Sequence, residues 1–173
     1  MAVTTDIVQT WRNPRAVYRR LLAVGQREDR AIAMLMAACF LVFVAQWPRL
    51  VRTSQGIDLP SGTEVPGLDR LMSYEFMSWL MIWPLGFYAL AALMVLALRV
   101  FGSKLTGYGG RLALFWALLA ATPAMILFGL LRGLNGDVVA TKLAGAVWIV
   151  ALVVFWVQGL RVAAEHEKRA ISV

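Results

Sequence analysis

Four long runs without a charged residue constrain this chain more than any other feature. They are residues 31–48, 76–98, 112–131 and 143–160, each rich in leucine, alanine, valine, methionine and phenylalanine. A helix of about 20 such residues crosses the ~30 Å hydrocarbon core of a bilayer. Buried helices of water-soluble proteins keep a polar stripe, whereas these runs carry only isolated polar side chains. The pattern predicts an all-α, polytopic membrane protein with four transmembrane helices.

Composition agrees with this prediction. Of the 173 residues, 60% are hydrophobic and 16% charged, and the mean hydropathy is +0.69. Too few polar residues are present to cover a water-soluble domain of this size. We therefore divide the chain into a basic cytoplasmic segment (1–30), a four-helix transmembrane domain (31–161) and a cytoplasmic tail (162–173).

The basic residues predict how the spans are oriented. Residues 1–30 hold six lysines and arginines, residues 99–111 hold three and residues 161–173 hold three, against five in the other two loops. Four spans leave both termini on one side, and the positive-inside rule makes that side cytoplasmic.

Together with this high hydropathy, the net charge of +7 favours binding to anionic lipid over binding to nucleic acid. The many arginines and the compact size favour a bacterial cytoplasmic (inner) membrane.

An amphipathic segment precedes the first span. Asn13 and Pro14 are typical of a helix start and Gly25 of a helix end. The segment has an apolar face, made of Val17, Tyr18, Leu21, Leu22 and Val24. It also has a basic complement for headgroup or partner contact, made of Arg12, Arg15, Arg19 and Arg20. This pattern predicts an N-terminal amphipathic helix lying in the membrane interface. The arginines would either anchor it to anionic headgroups or dock a cytoplasmic partner.

Prolines and glycines within the spans predict their shape. Pro84, with Gly86 nearby, and Pro123 remove backbone hydrogen bonds and should bend or loosen their helices. Gly129 and Gly133 form a G-x-x-x-G pattern, which is typical of close helix packing in membranes.

Residues suited to catalysis or metal binding are scarce. Cys39 and His166 are the only cysteine and histidine, which excludes an internal disulfide, a cysteine-built zinc site and a histidine cluster. The acidic residues of the loop at 49–75 do not have EF-hand spacing. The glycine-rich stretch 102–110 lacks the Lys-Ser/Thr pair of a phosphate loop. We therefore predict no catalytic residue, no metal site, no cofactor and no enzymatic activity.

Two motifs carry a family resemblance. Trp11-Arg-Asn-Pro14-Arg15, and residues 101–110 followed by a span broken at Thr122-Pro123, make the chain resemble the Yip-type domain family. The resemblance implies a multispan membrane protein, and eukaryotic members are named for interacting with Rab-type small GTPases. Many members have five spans and a longer N-terminus, whereas this chain has four predicted spans and 30 leading residues. The matching positions shape the backbone: Pro14, Gly102, Gly107, Gly109 and Pro123.

These observations favour a non-enzymatic membrane adaptor, scaffold or accessory subunit. Its expected partners are membrane lipids, especially anionic headgroups, and another membrane protein or further copies of the chain. The alternative is a small transporter or channel for a neutral solute, suggested by kinked spans that carry Gln46, Ser78, Thr122 and Gln158. Ion transport is disfavoured because the four runs contain no charged residue.

Overall fold

The computed structural model describes residues 3–57, 59–60, 62–103 and 105–171, with the side chains of 169–171 left aside. Within these ranges the chain is helical and contains no strand, so the prediction of an all-α protein is confirmed. The helices are α1 (Val3–Arg12), α2 (Pro14–Ala23), α3 (Glu28–Ser54), α4 (Leu68–Met77), α5 (Trp83–Val100), α6 (Gly107–Ala120), α7 (Thr122–Asn135) and α8 (Val139–Ile171).

Three helical stretches are each long and apolar enough to cross a membrane. They are α3, the stretch Leu68–Val100 and α8, and they indicate an integral membrane protein. Helices α6 and α7 pass the same test only as a pair, bent by 43°. The described residues therefore contain three candidate spans, or four if the bent pair counts as one. Each helical stretch is longer than its uncharged run because the helix continues into charged residues at its ends.

Helix α6 forms the centre of the bundle. All of its residues from Tyr108 onward are buried except Arg111, which is half-buried. It packs against α3, α5, α8 and α1. A Cβ on Gly110 would overlap the side chain of Val95, so this glycine sets the approach of α5.

The second span lies at the edge of the bundle. Only 11% of its most apolar window is buried, against 44% for α3. Between α4 and α5 the helix widens into a π turn at Ser78–Ile82, where the N–H of Trp83 donates to the carbonyl of Ser78. Pro84 follows directly and cannot donate to Leu80, so the predicted loosening is present as a π turn.

The two N-terminal helices, α1 and α2, fold back on one another around Asn13, and we call them the N-terminal hairpin. Asn13 caps α2 by accepting a hydrogen bond from the N–H of Ala16 at 3.3 Å, and Pro14 is its first residue, as predicted. The helix ends at Ala23 and Gly25 takes a positive φ of 90°. The predicted start of α2 at Asn13 and Pro14 and its predicted end before Gly25 are therefore confirmed.

The position of this segment differs from the prediction. The apolar face of α2 is buried in the protein, with Val17 and Tyr18 at most 1% exposed, and α2 packs on α8. A helix lying in the interface would leave that face to lipid. The predicted interfacial helix is therefore not confirmed, because α6 and α8 cover the surface that lipid was expected to cover.

Candidate functional site

The break between α6 and α7 is the most unusual backbone feature of the bundle. Pro123 has no N–H, so the carbonyl of Leu119 loses its helical donor. The hydroxyl of Thr122 donates to that carbonyl instead, at 2.7 Å. The N–H of Ala124 donates to Ala121, at 3.1 Å. The carbonyl of Ala120 is consequently left without its usual i+4 partner in an apolar core.

The N-terminal hairpin supplies the missing donor. The indole N–H of Trp11 donates to the carbonyl of Ala120 at 2.9 Å, and its ring meets Phe155 edge-on at 5.3 Å between centroids. Backbone groups freed at a break inside a membrane must find partners within the protein. Trp11 therefore closes the break and fixes α1 against both α6 and α8.

Two more hydrogen bonds join the hairpin to α6. The hydroxyl of Tyr18 donates to the carbonyl of Ala113 at 3.0 Å. The indole N–H of Trp116 donates to the hydroxyl of Thr10 at 3.1 Å, and that hydroxyl donates to the carbonyl of Asp6 at 2.7 Å.

These contacts place the apex of the hairpin far along the third span. Ala120 lies nine residues beyond Arg111, or about 13 Å along the axis of α6. Phe155 lies six residues before Arg161 on α8, or about 9 Å. Since Arg111 and Arg161 bound the uncharged runs, the Trp11 ring lies against residues inside two of those runs.

The four predicted contact arginines do not form one surface. Arg20 points inward and donates to Asp6 at 2.7 Å and to Gln9 at 2.8 Å, which ties α2 to α1. Arg19 is exposed and lies 3.9 Å from Glu165. The other two lie further toward the apex.

Arg15 and Arg12 are the two arginines nearest the apex. The Nε of Arg15 donates to the side-chain oxygen of Gln158 at 3.1 Å. Arg12 is exposed, with no hydrogen bond or ion pair to any other residue in the described ranges. Neither guanidinium has an acidic partner within the described part of the chain.

Arg12 borders an apolar depression between α1, α7 and α8, which has a volume of about 490 Å³. A second depression of about 420 Å³ continues along α8 and shares Trp11 and Val147 with the first. We call the two together the α8 groove. Its lining is Ile7, Val8, Trp11, Arg12, Pro123, Ala124, Leu127, Leu143, Ala146, Val147, Val150, Ala151, Val154 and Phe155.

The backbone-shaping positions lie where the chain turns or packs closely. Pro14 begins α2, Gly102 turns with φ +82° after α5, and Gly107 begins α6. Gly109 is buried against Ala163 and Glu167 of α8. Pro123 is at the break, where the predicted bend is found.

Gly129 and Gly133 face α3. A Cβ on Gly129 would overlap the backbone of Ala45, and one on Gly133 would overlap Pro48. The small-residue face of α7 is thus used for packing within the chain.

The polar side chains that suggested a transporter are dispersed. Gln46 accepts a hydrogen bond from Arg49 at 3.1 Å, and Gln158 accepts one from Arg15. The hydroxyl of Thr122 donates to Leu119 at the end of α6, and Ser78 lies in the π turn between α4 and α5.

No group of three or more metal-ligating side chains occurs among the described residues. His166 is exposed on α8 and Cys39 is buried in α3.

Sequence reasoning missed the inward side of α1. Asp6 and Thr10 are buried, at 5% and 0% exposed, yet stand outside the uncharged runs. Their i, i+4 spacing is a helical signal, but polar residues at this spacing are also typical of a solvated face. Trp11 was noted only as part of a family motif.

Comparison of the chain with protein-family models, with curated proteins and with solved structures found no match.

Proposed function

We propose that this chain is a non-enzymatic integral membrane adaptor, scaffold or accessory subunit that acts by associating with other membrane components. The observation that carries the proposal is the uncovered second span. Leu85, Leu93 and Leu96 are 73%, 63% and 61% exposed, and they lie on a helix that touches the bundle along one side only.

Small residues on that span favour a helix as its neighbour. Gly86 and Ala89 are exposed on the same helix as Leu93. Ala89 follows Gly86 by three residues and Leu93 follows Ala89 by four, so the three residues lie on one side of the helix. Small side chains let two backbones approach, which is how membrane helices gain contact energy without a hydrophobic driving force. A second membrane protein, or another copy of the chain, would cover this face.

Orientation and location belong to the same proposal. With both termini in the cytoplasm, the face that includes residues 1–30, 99–111 and the tail carries most of the basic residues. The proposed location is the bacterial cytoplasmic membrane, whose anionic lipids would be attracted to that face. Membership of the Yip-type family, and with it any GTPase partner, stays a prediction.

Photo-crosslinking in native membranes tests the proposal. A photoreactive residue at position 93 should give a discrete protein adduct, because a neighbouring helix lies against that side chain. The matched control is position 130 on α7, where Leu130 is 47% exposed. We expect no discrete adduct there.

Absence of a protein adduct at position 93, together with isolation of the chain as a lone monomer in mild detergent, would contradict the proposal. An adduct to the chain itself would identify a homo-oligomer, and an adduct of another mass would identify an accessory subunit. Either adduct supports association through the second span.

A further inference from the structure

Arg12 lines the half of the α8 groove that lies beside the break between α6 and α7. The residues of the spans that line the same half are Pro123, Ala124, Leu127 and Val147, all of them inside the uncharged runs. Ala124 lies thirteen residues beyond Arg111 and eight before Arg132, or about 20 Å and 12 Å along the helices. The N-terminal hairpin therefore brings a cation against two runs that contain no charged residue.

The guanidinium of Arg12 has no counter-charge in the described part of the chain. It makes no hydrogen bond or ion pair there, and every other described residue that lines the groove is uncharged. Asp137, in the turn between α7 and α8, already lies beside Arg132 and Lys142. A cation against hydrocarbon is costly, and charged side chains within spans pair with one another. Arg12 therefore favours a carboxylate.

The shape of the α8 groove suits a helix. The groove follows α8 from Leu143 to Phe155, twelve residues or about 18 Å, so its long axis is parallel to this candidate span. Its apolar lining includes three alanines, at positions 124, 146 and 151. Small side chains let the backbone of a second helix approach closely, as in other pairs of membrane helices.

An apolar groove of this length beside one unpaired cation matches a transmembrane helix that carries an acid. We propose that the α8 groove binds a transmembrane helix of a different membrane protein, and that Arg12 pairs with an aspartate or glutamate in the middle of that helix. A second copy of this chain brings no such residue, since its uncharged runs hold no acid and Asp6 already pairs with Arg20. A phospholipid phosphate would lie in the headgroup layer, beyond the ends of these runs.

This inference deepens the proposed function, because it gives the chemical class of one partner, and it rests on that proposal for the membrane setting. The α8 groove and the exposed leucines of the second span lie on different helices. Crosslinking at position 93 and binding in the groove can therefore succeed or fail separately.

Synthetic transmembrane peptides test the pairing on the purified full chain. Each peptide has about 20 leucine and alanine residues, with aspartate, asparagine or leucine at its centre. Binding is measured in phosphatidylcholine vesicles, by energy transfer from the labelled peptide to a chain labelled at Phe101→Cys, with Cys39 replaced by alanine.

The charge at the centre of the peptide should decide its affinity. We expect the aspartate peptide to bind at least about tenfold more tightly than the leucine peptide, because it adds a charge pair that water does not screen. The asparagine peptide forms hydrogen bonds but carries no charge. It should exceed the leucine peptide by no more than about threefold.

Variants of the hairpin assign the preference to one arginine. Arg12→Gln should abolish the preference for the aspartate peptide, and Arg12→Lys, which keeps a cation, should retain most of it. Arg15→Gln is the matched control. Arg15 donates to Gln158 and lines neither depression, so its replacement should leave the preference unchanged.

Variants of the groove locate the bound helix. Val147→Trp fills the half beside Arg12 and should weaken the binding of the aspartate peptide with the arginine intact. Leu127→Trp, in the same half, repeats this test if the variant at position 147 does not fold. Leu93→Trp is the control on the second span and should leave the binding unchanged.

Equal binding of the aspartate and leucine peptides to the wild-type chain overturns the proposal, as does a preference that survives Arg12→Gln. Displacement of the aspartate peptide by added phosphatidylglycerol would show that a lipid anion binds Arg12 instead. Conversion of a dimer to a monomer by Val147→Trp would show that a second copy occupies the groove. Either result contradicts the proposal.

Discussion

At the residue scale, the hydrogen bond from Trp11 to the carbonyl of Ala120 joins the N-terminal hairpin to the broken span. Trp11→Phe removes the donor and keeps an aromatic ring against Phe155. The Ala120 carbonyl would then be buried without a partner, so we expect a loss of about 1 to 3 kcal/mol in the free energy of unfolding. Denaturant titration in detergent micelles measures it.

The control for this variant is Trp47→Phe. Trp47 is 44% exposed on α3, and its indole N–H has no hydrogen bond to any described residue. Its replacement should change the free energy of unfolding by no more than about 0.5 kcal/mol. Equal effects at positions 11 and 47 would show that the Ala120 bond does not stabilise the fold.

The ion pair inside the hairpin gives a second prediction. Arg20→Gln leaves the Asp6 carboxylate, whose side chain is 8% exposed, without its cation. Because Arg20 itself is 36% exposed, solvent moderates the loss, and we expect the free energy of unfolding to fall by about 2 kcal/mol. Arg19→Gln, whose pair with Glu165 is exposed, should cost less than about 1 kcal/mol. The same titration compares them, and a larger loss for Arg19→Gln would contradict the structure.

Sequence reasoning recognised these arginines as a basic set but could not separate them. Arg19 and Arg20 are neighbours in the chain, yet one faces solvent and the other faces α1. The difference depends on the turn at Asn13, which brings Asp6 back to Arg20. Such a contact between two helices leaves no periodic signal within either helix.

At the element scale, the packing of α7 on α3 depends on two glycines. Gly129→Ala would place a methyl group in the backbone of Ala45, where neither helix has a flexible side chain to move. We expect the two helices to separate and the free energy of unfolding to fall by about 1 to 3 kcal/mol or more.

Gly86→Ala is the matched control for that substitution. A Cβ on Gly86 would be 3.9 Å from the nearest atom of Trp83, an ordinary contact. In a helix without steric conflict, alanine is favoured over glycine by up to about 1 kcal/mol. The two variants should therefore change stability in opposite directions in the same titration. A loss at both positions, of equal size, would indicate a general effect of removing glycine.

Most elements could be predicted from the uncharged runs, because lipid requires continuous apolar sequence. The break at Thr122-Pro123 was also predictable, since proline removes a backbone donor wherever it occurs. The location of α2 was not. An amphipathic helix buries the same apolar face whether a bilayer interface or a protein core covers it, so periodicity alone cannot distinguish the two.

At the scale of the whole molecule, the predicted topology places Phe101 and Thr63 on opposite faces of the membrane. Phe101 is 86% exposed after α5, and Thr63 lies in the exposed loop between α3 and α4. In chains with Cys39 replaced by alanine, a membrane-impermeant thiol reagent should label Phe101→Cys only from the cytoplasmic side. It should label Thr63→Cys only from the other side. Labelling of both positions from one side would contradict the assigned topology.

The sequence predicts the topology of this chain more fully than it predicts the function. The numbers of lysines and arginines in the loops predict which face is cytoplasmic, because these numbers can be summed along the whole chain without knowing how the helices pack. A partner, by contrast, is recognised by a local surface, and the exposed leucines of the second span are indistinguishable in sequence from those buried in α6. Only the arrangement of helices shows that α5 is uncovered and that α6 is enclosed.

The central claim is that the N-terminal hairpin is part of the membrane-embedded bundle, with its apex at the broken span. Val8 tests it most directly, because this residue is 59% exposed on the protein yet lines the α8 groove beside Pro123. In sealed vesicles of either orientation, we predict that the impermeant reagent labels Phe101→Cys from one face and Val8→Cys from neither. Labelling of Val8→Cys to the same extent as Phe101→Cys would place the hairpin in water and contradict the account.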